Sequence, residues 1–571
     1  MKNEDESRKS RWRLQDSVKV RGRFPFFPFH LLIALPLVAA VFFSFFLPYG
    51  AALGNAFSDT GNITAFQNSA HLRVTLFTVK QAFFSVLVAL AIGLPGAWFL
   101  SGRSKYNPLL RSITAIPFAM PSILVVLGFV LFFGNSGWLN RFLAFFPGGF
   151  QLKILYRSEA IILAHGFFNF PLVVRLAGDG LTRARKSYAP VASTLGASPL
   201  LMAITVLLPI SFPAILSACL LVFLYSFTSF AVVLVLGGGP ASTTLPVEIY
   251  RYARVFLDYR NAGALALVET LIAVVAFLGY VLLNKKSRCL TPDAHERSLE
   301  ERQAFVHINA FLITYGIFVL LFVMGPLVSI LIESLLLRSS RSAAQVLSIA
   351  WWRSLGDSCI PSLKRSLTLA FSSATLSCLL AVSGALFVKI LELQGGRADS
   401  LLANSLISNI FRFFAAVPIV SSGIVLGLGW LALYGSSFSR SPWTLVMLHA
   451  VIALPFSFNS VSEGFRETPT STVYAAQACG AGPLCALLTT ALPLSIPRIR
   501  SAWAFAAALS LGELNAVMML GMEKWETLPL YIYRAAGAYR YGAACAAGTL
   551  LLLGCASCFL LSELGRKKYV S

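Results

Sequence analysis

Residues 191–215 read VASTLGASPLLMAITVLLPISFPAI, and residues 475–499 read AAQACGAGPLCALLTTALPLSIPRI. In both stretches a glycine is followed by prolines three, thirteen and seventeen residues later. The members of the two sets lie 284 residues apart: Gly196, Pro199, Pro209 and Pro213, then Gly480, Pro483, Pro493 and Pro497. Because solenoid repeats recur at about 20 to 50 residues, an offset near half of the 571-residue chain indicates two related halves instead.

The likeness between the halves extends beyond these two stretches. His165 and Pro171 match His449 and Pro455 at the same offset. Further along, TLPVEIYR ends at Arg251 and TLPLYIYR ends at Arg534, which shifts the offset by one residue. The repeat therefore covers a large part of each half.

The composition is that of a membrane protein. Hydrophobic residues make up 57% of the chain and charged residues 12%, against about 45–50% and 25% in soluble proteins. A span needs about 20 apolar residues. The sequence predicts an all-α polytopic membrane protein with about twelve transmembrane helices, near residues 26–47, 72–100, 113–133, 159–177, 205–236, 262–283, 305–333, 367–390, 413–434, 443–461, 488–520 and 541–562.

These segments divide into two halves of six. An even number of spans per half gives both halves the same orientation, so the repeat is parallel. Eight Lys or Arg side chains within residues 1–23 place the N-terminus in the cytoplasm, and the C-terminus follows it there. We expect a basic arm, a first half, a polar cytoplasmic linker and a second half, at residues 1–25, 26–283, 284–304 and 305–571.

The repeated motif begins just after a predicted cytoplasmic loop, near residues 187–199 and 471–483. Small residues allow close backbone approach, and glycine takes a positive φ where a short helix ends. Proline suits the first turn of the next helix. We therefore expect a helix, a tight turn and a second helix at Ala192, Gly196, Ala197 and Pro199, and again at Ala475, Ala476, Gly480, Ala481 and Pro483.

PVASTLG at residues 190–196 and YAAQACG at residues 474–480 resemble the cytoplasmic loop of permeases from ATP-binding cassette (ABC) importers known as the EAA loop. The resemblance implies that each loop forms a coupling helix on one of two cytoplasmic ATPase subunits, with a solute-binding protein on the other side of a bacterial inner membrane. ATP and Mg would be bound by the ATPase, with no cofactor in this chain. The family's leading Glu is replaced by Pro190 and Tyr474, so a salt bridge from that position is not expected.

Within this family, residues 227–269 resemble the permease of bacterial thiamine importers. ILAHGFFNFPLVVRL from Ile162 and FGNSGWLN from Phe133 resemble the same permeases. The second half is similar to the wider class of fused permeases, including ferric iron importers. Thiamine is the substrate that the resemblance favours, with ferric iron or another small solute as the alternative.

Glu513, in ALSLGELNAVMMLG, is the most informative charge within an apolar segment. An intramembrane carboxylate costs roughly 3 kcal/mol unless it faces protein or water. At the 284-residue offset it matches Ser229, and the adjacent Gly512 matches Thr228. These four residues are candidates for a polar, asymmetric translocation path. The alternative is that Glu513 is satisfied by a neighbouring helix and serves packing.

Other classes of function are disfavoured by the sequence. The net charge of +22 lies largely on loops flanking spans, where anionic lipid and the insertion rule explain it, so nucleic acid is not an expected partner. No phosphate-binding G-x-x-x-x-G-K-[ST] stretch occurs. No metal-ligand spacing or clustered catalytic residues suggest a metal site or a membrane-embedded enzyme. A secondary transporter stays open as a rival, since parallel repeats occur there too.

Overall fold

The fold is described from a computed structural model of the chain. It describes residues 28–57, 69–102, 114, 120–146, 151–237, 239, 242–290, 310–338, 345–393, 398–439, 441–521 and 525–564. The predicted basic arm, residues 1–25, and most of the predicted linker lie outside the described residues.

The first half is built from helices α1 to α11. Their bounds are Pro28–Val41, Leu47–Gly54, Ser69–Ser101, Ser122–Phe133, Trp138–Leu143, Ser158–Thr194, Pro199–Met202, Leu208–Phe227, Ala231–Leu236, Leu245–Arg254 and Tyr259–Leu290. The last of these continues seven residues beyond the predicted end of the first half at residue 283, so the beginning of the predicted linker is helical.

The second half contains helices α12 to α23 and two short strands. The helices are Ala310–Ser334, Ala350–Arg353, Gly356–Leu393, Ala398–Ala416, Gly423–Ser439, Pro442–Glu467, Thr470–Ala478, Pro483–Ala486, Leu492–Gly512, Asn515–Leu520, Leu528–Gly537 and Tyr541–Leu564. Strands β1 (Leu336–Arg338) and β2 (Gln345–Leu347) form one antiparallel pair, with Leu337 opposite Val346. This small pair is an exception in an otherwise helical chain.

The membrane assignment is confirmed. Among the described residues, ten helices are long and apolar enough to cross a membrane, and a bent pair, Asn404–Val420 with Gly423–Gly435, raises the number to eleven. The remaining predicted segment, residues 488–520, lies mainly in α20, which carries Arg498 and Arg500 and is therefore less apolar. Its counterpart in the first half, Pro199–Phe227, is one of the ten.

The repeated prolines produce a π-helical turn at the same place in both halves. Residues Ala203–Leu207 lie directly before α8, which has Pro209 at its start, and Leu487–Ala491 lie directly before α20, which has Pro493 there. Proline has no N–H for the regular hydrogen bond, and a wider turn accommodates the mismatch. The prolines therefore lie within a continuous helix that begins earlier, at Pro199 in the first half.

The two halves interlock through their first spans. Helix α2 packs against α16 of the second half, and α12 packs against α4 of the first. A Cβ at Gly429 would strike the backbone of Pro48, and a Cβ at Gly128 would lie 2.8 Å from the carbonyl oxygen of Pro326. Each half therefore receives the first span of the other against a glycine.

Candidate coupling loops and translocation path

The first repeated stretch turns at Gly196, which has φ of +77°. The N–H of Gly196 donates to the carbonyl of Ser193, and the N–H of Ala197 donates to the carbonyl of Ala192, both at 3.1 Å. This pair of bonds is the Schellman motif, which ends a helix at a glycine because a residue without Cβ takes positive φ at little cost. The turn expected from the sequence is present.

The second stretch repeats the same hydrogen bonds. Gly480 has φ of +91°. Its N–H donates to the carbonyl of Gln477 at 2.9 Å, and the N–H of Ala481 donates to the carbonyl of Ala476 at 3.1 Å. The conserved spacing of alanine and glycine within the chain thus encodes one turn geometry used twice.

A new helix follows each turn within three residues. Pro199 and Pro483 occupy the first helical positions, where a missing N–H leaves no bond unmade. In the first copy the Ser198 hydroxyl accepts the N–H of Leu201 at 3.3 Å, which caps the helix start. The second copy has Gly482 at that position and no side-chain cap.

Both turns present apolar side chains at the surface. Leu195 is 83% exposed and Leu200 71% exposed beside the first turn, and Tyr474 is 49% exposed beside the second. Ala192 is buried, and a Cβ at Gly196 or Gly480 would meet no atom within 4 Å. Exposed apolar groups on a rigid turn are typical of a surface that binds a partner protein.

The two loops differ in what precedes them. The first is the end of α6, which runs 37 residues without a break. The second is the separate helix α18, because the chain is extended at Thr468 (ψ 122°) before Pro469, and the residue before a proline avoids helical ψ. Arg498 of α20 forms salt bridges with Glu467 and Glu463 beside this break.

The fifth span of each half breaks at matching positions, and these breaks contain the path candidates. Helix α8 ends at Phe227 and α9 begins at Ala231, with Thr228 and Ser229 between them. Helix α20 ends at Gly512 and α21 begins at Asn515, with Glu513 between them. The two long predicted segments are therefore each a long helix followed by a short one.

Glu513 is held by the backbone of the helix that follows it. Its Oε1 accepts the N–H groups of Asn515 at 2.9 Å and Ala516 at 3.2 Å. The carboxylate caps α21, in agreement with the packing alternative, and it also approaches Gly423, where a Cβ would lie 3.1 Å from Oε1. The side chain is half-buried.

The neighbouring candidates have separate contacts. A Cβ at Gly512 would lie 2.9 Å from the Cβ of Pro121, so this glycine allows close contact with the first half. The hydroxyl of Thr228 donates to the Leu224 carbonyl in its own helix at 2.9 Å. Thr228 and Ser229 are both half-buried. Their role in a path stays a prediction.

A buried polar network supports the break in the first half. His165 Nδ1 and Gln81 Oε1 are 3.0 Å apart, and Gln81 Nε2 donates to the Ser226 carbonyl at 2.9 Å. Asn169 donates to the Ser226 hydroxyl at 3.0 Å. Helices α3, α6 and α8 are thus joined two residues before Thr228.

The second half has a shorter version of this network. His449 Nδ1 lies 2.8 Å from the hydroxyl of Ser510, which also accepts from Ser373 at 2.9 Å. Ser510 and Ser226 are related by the 284-residue offset, as are the two histidines. The histidines thus make hydrogen bonds that position helices, and no group of three or more potential metal ligands occurs among the described residues.

Sequence reasoning missed Glu269 in α11. It is 2% exposed, and neither carboxylate oxygen has a hydrogen-bond partner within the described part of the chain. Its sequence signal, a single carboxylate within the apolar run ALVETLIAVV, is the same as that used for Glu513. An unpaired buried carboxylate is costly, so Glu269 joins the candidates for a functional role.

The two halves match the model of one family, described as binding-protein-dependent transport system inner membrane component, at residues 85–288 and 395–568. The chain belongs to this family. The match in two parts agrees with the repeat read from the sequence, and the expectation of an importer permease is confirmed. The family name places the chain in a membrane transport system that works with a solute-binding protein.

The relatives have the same length as this chain. The thiamine transport system permease protein ThiP of Brucella suis is 29% identical over 84% of this chain and 85% of its own length. ThiP of Escherichia coli K12 is 27% identical over 93% of this chain and 95% of its own. A bacterial ABC transporter involved in alginate import matches 46% of this chain and 96% of its own chain at 20% identity, with a TM-score of 0.38.

Proposed function

We propose that this chain is the fused permease of an ATP-driven importer for thiamine or its phosphates, with its N- and C-termini in the cytoplasm. The observation that carries the proposal is the pair of identical exposed turns at Gly196 and Gly480, one on each half. The thiamine permeases of Brucella suis and Escherichia coli support the choice of solute, since the likeness extends over most of both chains.

Each turn docks on one of two ATPase subunits, which bind ATP and Mg. Leu195 and Leu200 beside one turn, and Tyr474 beside the other, provide the apolar contact. The Schellman bonds hold each turn rigid, so movement of an ATPase subunit is transmitted to the helices on either side. A turn without this rigidity would absorb the movement.

The solute passes between the halves, where the fifth spans break. Helices α8 and α20 each begin at a docking turn and end at a break, next to Ser229 in one half and Glu513 in the other. A displacement of the docking turn therefore shifts the break at the far end of the same helix. The solute-binding protein delivers its cargo at the opposite membrane face.

The test is uptake of labelled thiamine into proteoliposomes that contain this chain, its ATPase and its binding protein, with and without ATP. We expect accumulation that requires ATP and the binding protein. Accumulation of ferric iron in place of thiamine would overturn the solute and keep the mechanism. Thiamine uptake driven by an ion gradient without ATP would show a secondary transporter.

A further inference from the structure

A helix break in the second half brings together groups from both halves. The chain bends by 97° between Asn404–Val420 and Gly423–Gly435. Ser422 lies at the bend, is 4% exposed, and its hydroxyl accepts the N–H of Val425 at 3.2 Å at the start of α16. Ser422 and Gly423 thus form a short non-helical point deep within the protein.

Carboxylates approach this point from opposite sides. Glu513 of the second half lies against Gly423, as its Oε1 is 3.1 Å from the position of a Cβ there. Glu269 of the first half lies beside the hydroxyl of Ser422, outside normal hydrogen-bond geometry. Two acidic side chains from different halves therefore flank two adjacent residues.

The unpaired carboxylate is Glu269. It is ten residues from Tyr259 at the start of α11, or about 15 Å along the helix and near the middle of the hydrocarbon layer. Glu513 is satisfied by two N–H groups, whereas neither oxygen of Glu269 has a hydrogen-bond partner within the described residues. A proton or a cation must neutralise Glu269, because an ionised carboxylate without a partner costs several kcal/mol in such surroundings.

An aromatic ring completes the surroundings of Glu269. Tyr49 lies close enough for the Glu269 charge to act on it, and its hydroxyl is 2.8 Å from the hydroxyl of Thr270, the next residue. Phe45 stacks on Tyr49 with ring centroids 5.1 Å apart, which fixes the ring. A carboxylate beside a fixed aromatic ring suits an organic cation whose charge is spread over several atoms.

The arrangement occurs on one side of the molecule only. Tyr259 and Tyr541 begin the last helices of the two halves, and ten residues further along lie Glu269 and Leu551. Leu551 is 1% exposed and packs in the core. General packing of the repeat therefore accepts an apolar residue at this position and does not require the carboxylate.

We propose that Glu269, with Tyr49, Ser422 and Glu513 around it, binds an organic cation in transit when the halves part. The inference rests on the proposed function, since it assigns to the path a residue that contacts a cationic solute. In the arrangement described here the site is closed. The entering cation replaces the missing partner of Glu269, and the closing of the halves displaces it.

The test compares Glu269→Gln with the parent chain in the full transporter. We expect thiamine uptake to fall by about tenfold, equivalent to about 1.4 kcal/mol, while ATP hydrolysis stimulated by the binding protein is retained. The thermal midpoint of the variant should not fall, because the charge removed has no partner to lose. Glu333→Gln, at a second buried carboxylate that lies in α12, is the matched control and should transport normally.

A second measurement is independent of the proposed solute. Dicyclohexylcarbodiimide, an apolar carboxyl reagent, should modify Glu269 during turnover, and choline as a simple organic cation should slow that reaction, as read by peptide mass spectrometry. Normal uptake by Glu269→Gln would overturn the inference and leave the thiamine proposal standing. If the parent chain takes up no thiamine, that proposal fails, and the site then stands on protection by choline or falls with a lack of modification or protection.

Discussion

At the scale of single residues, Glu513 combines a structural contact with a charge on the candidate path. Its Oε1 accepts two backbone N–H groups at the start of α21. Glutamine keeps an acceptor oxygen at the same place and removes the charge, whereas alanine removes both. The two substitutions therefore separate the cap from the charge.

We predict that Glu513→Gln lowers uptake of a cationic solute several-fold with the thermal midpoint unchanged. Glu513→Ala should also lose about 1 kcal/mol of stability, the typical cost of a lost helix cap. Uptake assays and thermal unfolding of the purified variants measure the two effects. Normal uptake by Glu513→Gln, at equal expression, would leave the carboxylate with the capping role alone.

The sequence predicts such residues only in part. A carboxylate within an apolar run indicates Glu513 and Glu269 equally well. Whether its oxygens find partners depends on neighbours that are distant in the chain, such as Ser422 for Glu269. The hydrogen bonds of Glu513 are local, to residues two and three positions ahead, yet they exist only because the span breaks there.

At the scale of elements, the turns follow from the sequence and the helix lengths do not. Alanine, glycine and proline at fixed spacing specify a local turn, and both copies have it. The predicted single spans over residues 205–236 and 488–520 are each divided by a break, after Phe227 and after Gly512. Such a break has no proline or charge signal common to the two halves, because tertiary contacts decide it.

We predict that Gly196→Asp and Gly480→Asp uncouple ATP hydrolysis from uptake. The added side chain meets no atom within 4 Å, so it does not disturb the chain itself. Its charge stands at a helix C-terminus, where the helix dipole disfavours an anion by about 0.3–1 kcal/mol, and on the surface that the ATPase covers. ATPase activity and uptake measured on the same proteoliposomes give the coupling ratio.

The matched control for these variants is asparagine at the same glycine. Asparagine has the size of aspartate, tolerates positive φ better than most residues and has no charge. We expect Gly196→Asn and Gly480→Asn to keep most of the coupling. Full transport by both aspartate variants with the ATPase bound would show that the turns are not the coupling surface.

At the scale of the whole molecule, the repeat indicates two halves but not how they are joined. The exchange of first spans, with α2 on α16 and α12 on α4, depends on contacts between residues hundreds of positions apart. Gly128 and Gly429 are ordinary glycines of apolar segments in the sequence. Only the fold shows that each faces a proline backbone of the other half.

We predict that Gly128→Val and Gly429→Val weaken the association of the halves. A Cβ at Gly128 would lie 2.8 Å from the Pro326 carbonyl oxygen and 2.9 Å from the Pro326 Cβ, and backbone cannot move aside as a flexible side chain does. Overpacking of this kind costs about 1–3 kcal/mol. Thermal unfolding in detergent should therefore begin at a lower temperature for both variants.

Gly316→Val is the control within the same pair of helices, because Gly316 lies in α12 with Pro326 and a Cβ there meets no atom within 4 Å. It has the same helix propensity cost as the test variants. Equal loss of stability in Gly316→Val and Gly128→Val would attribute the effect to helix propensity and contradict the interlock. A loss confined to Gly128→Val and Gly429→Val shows that each half is completed by the first span of the other, so that neither half closes a path alone.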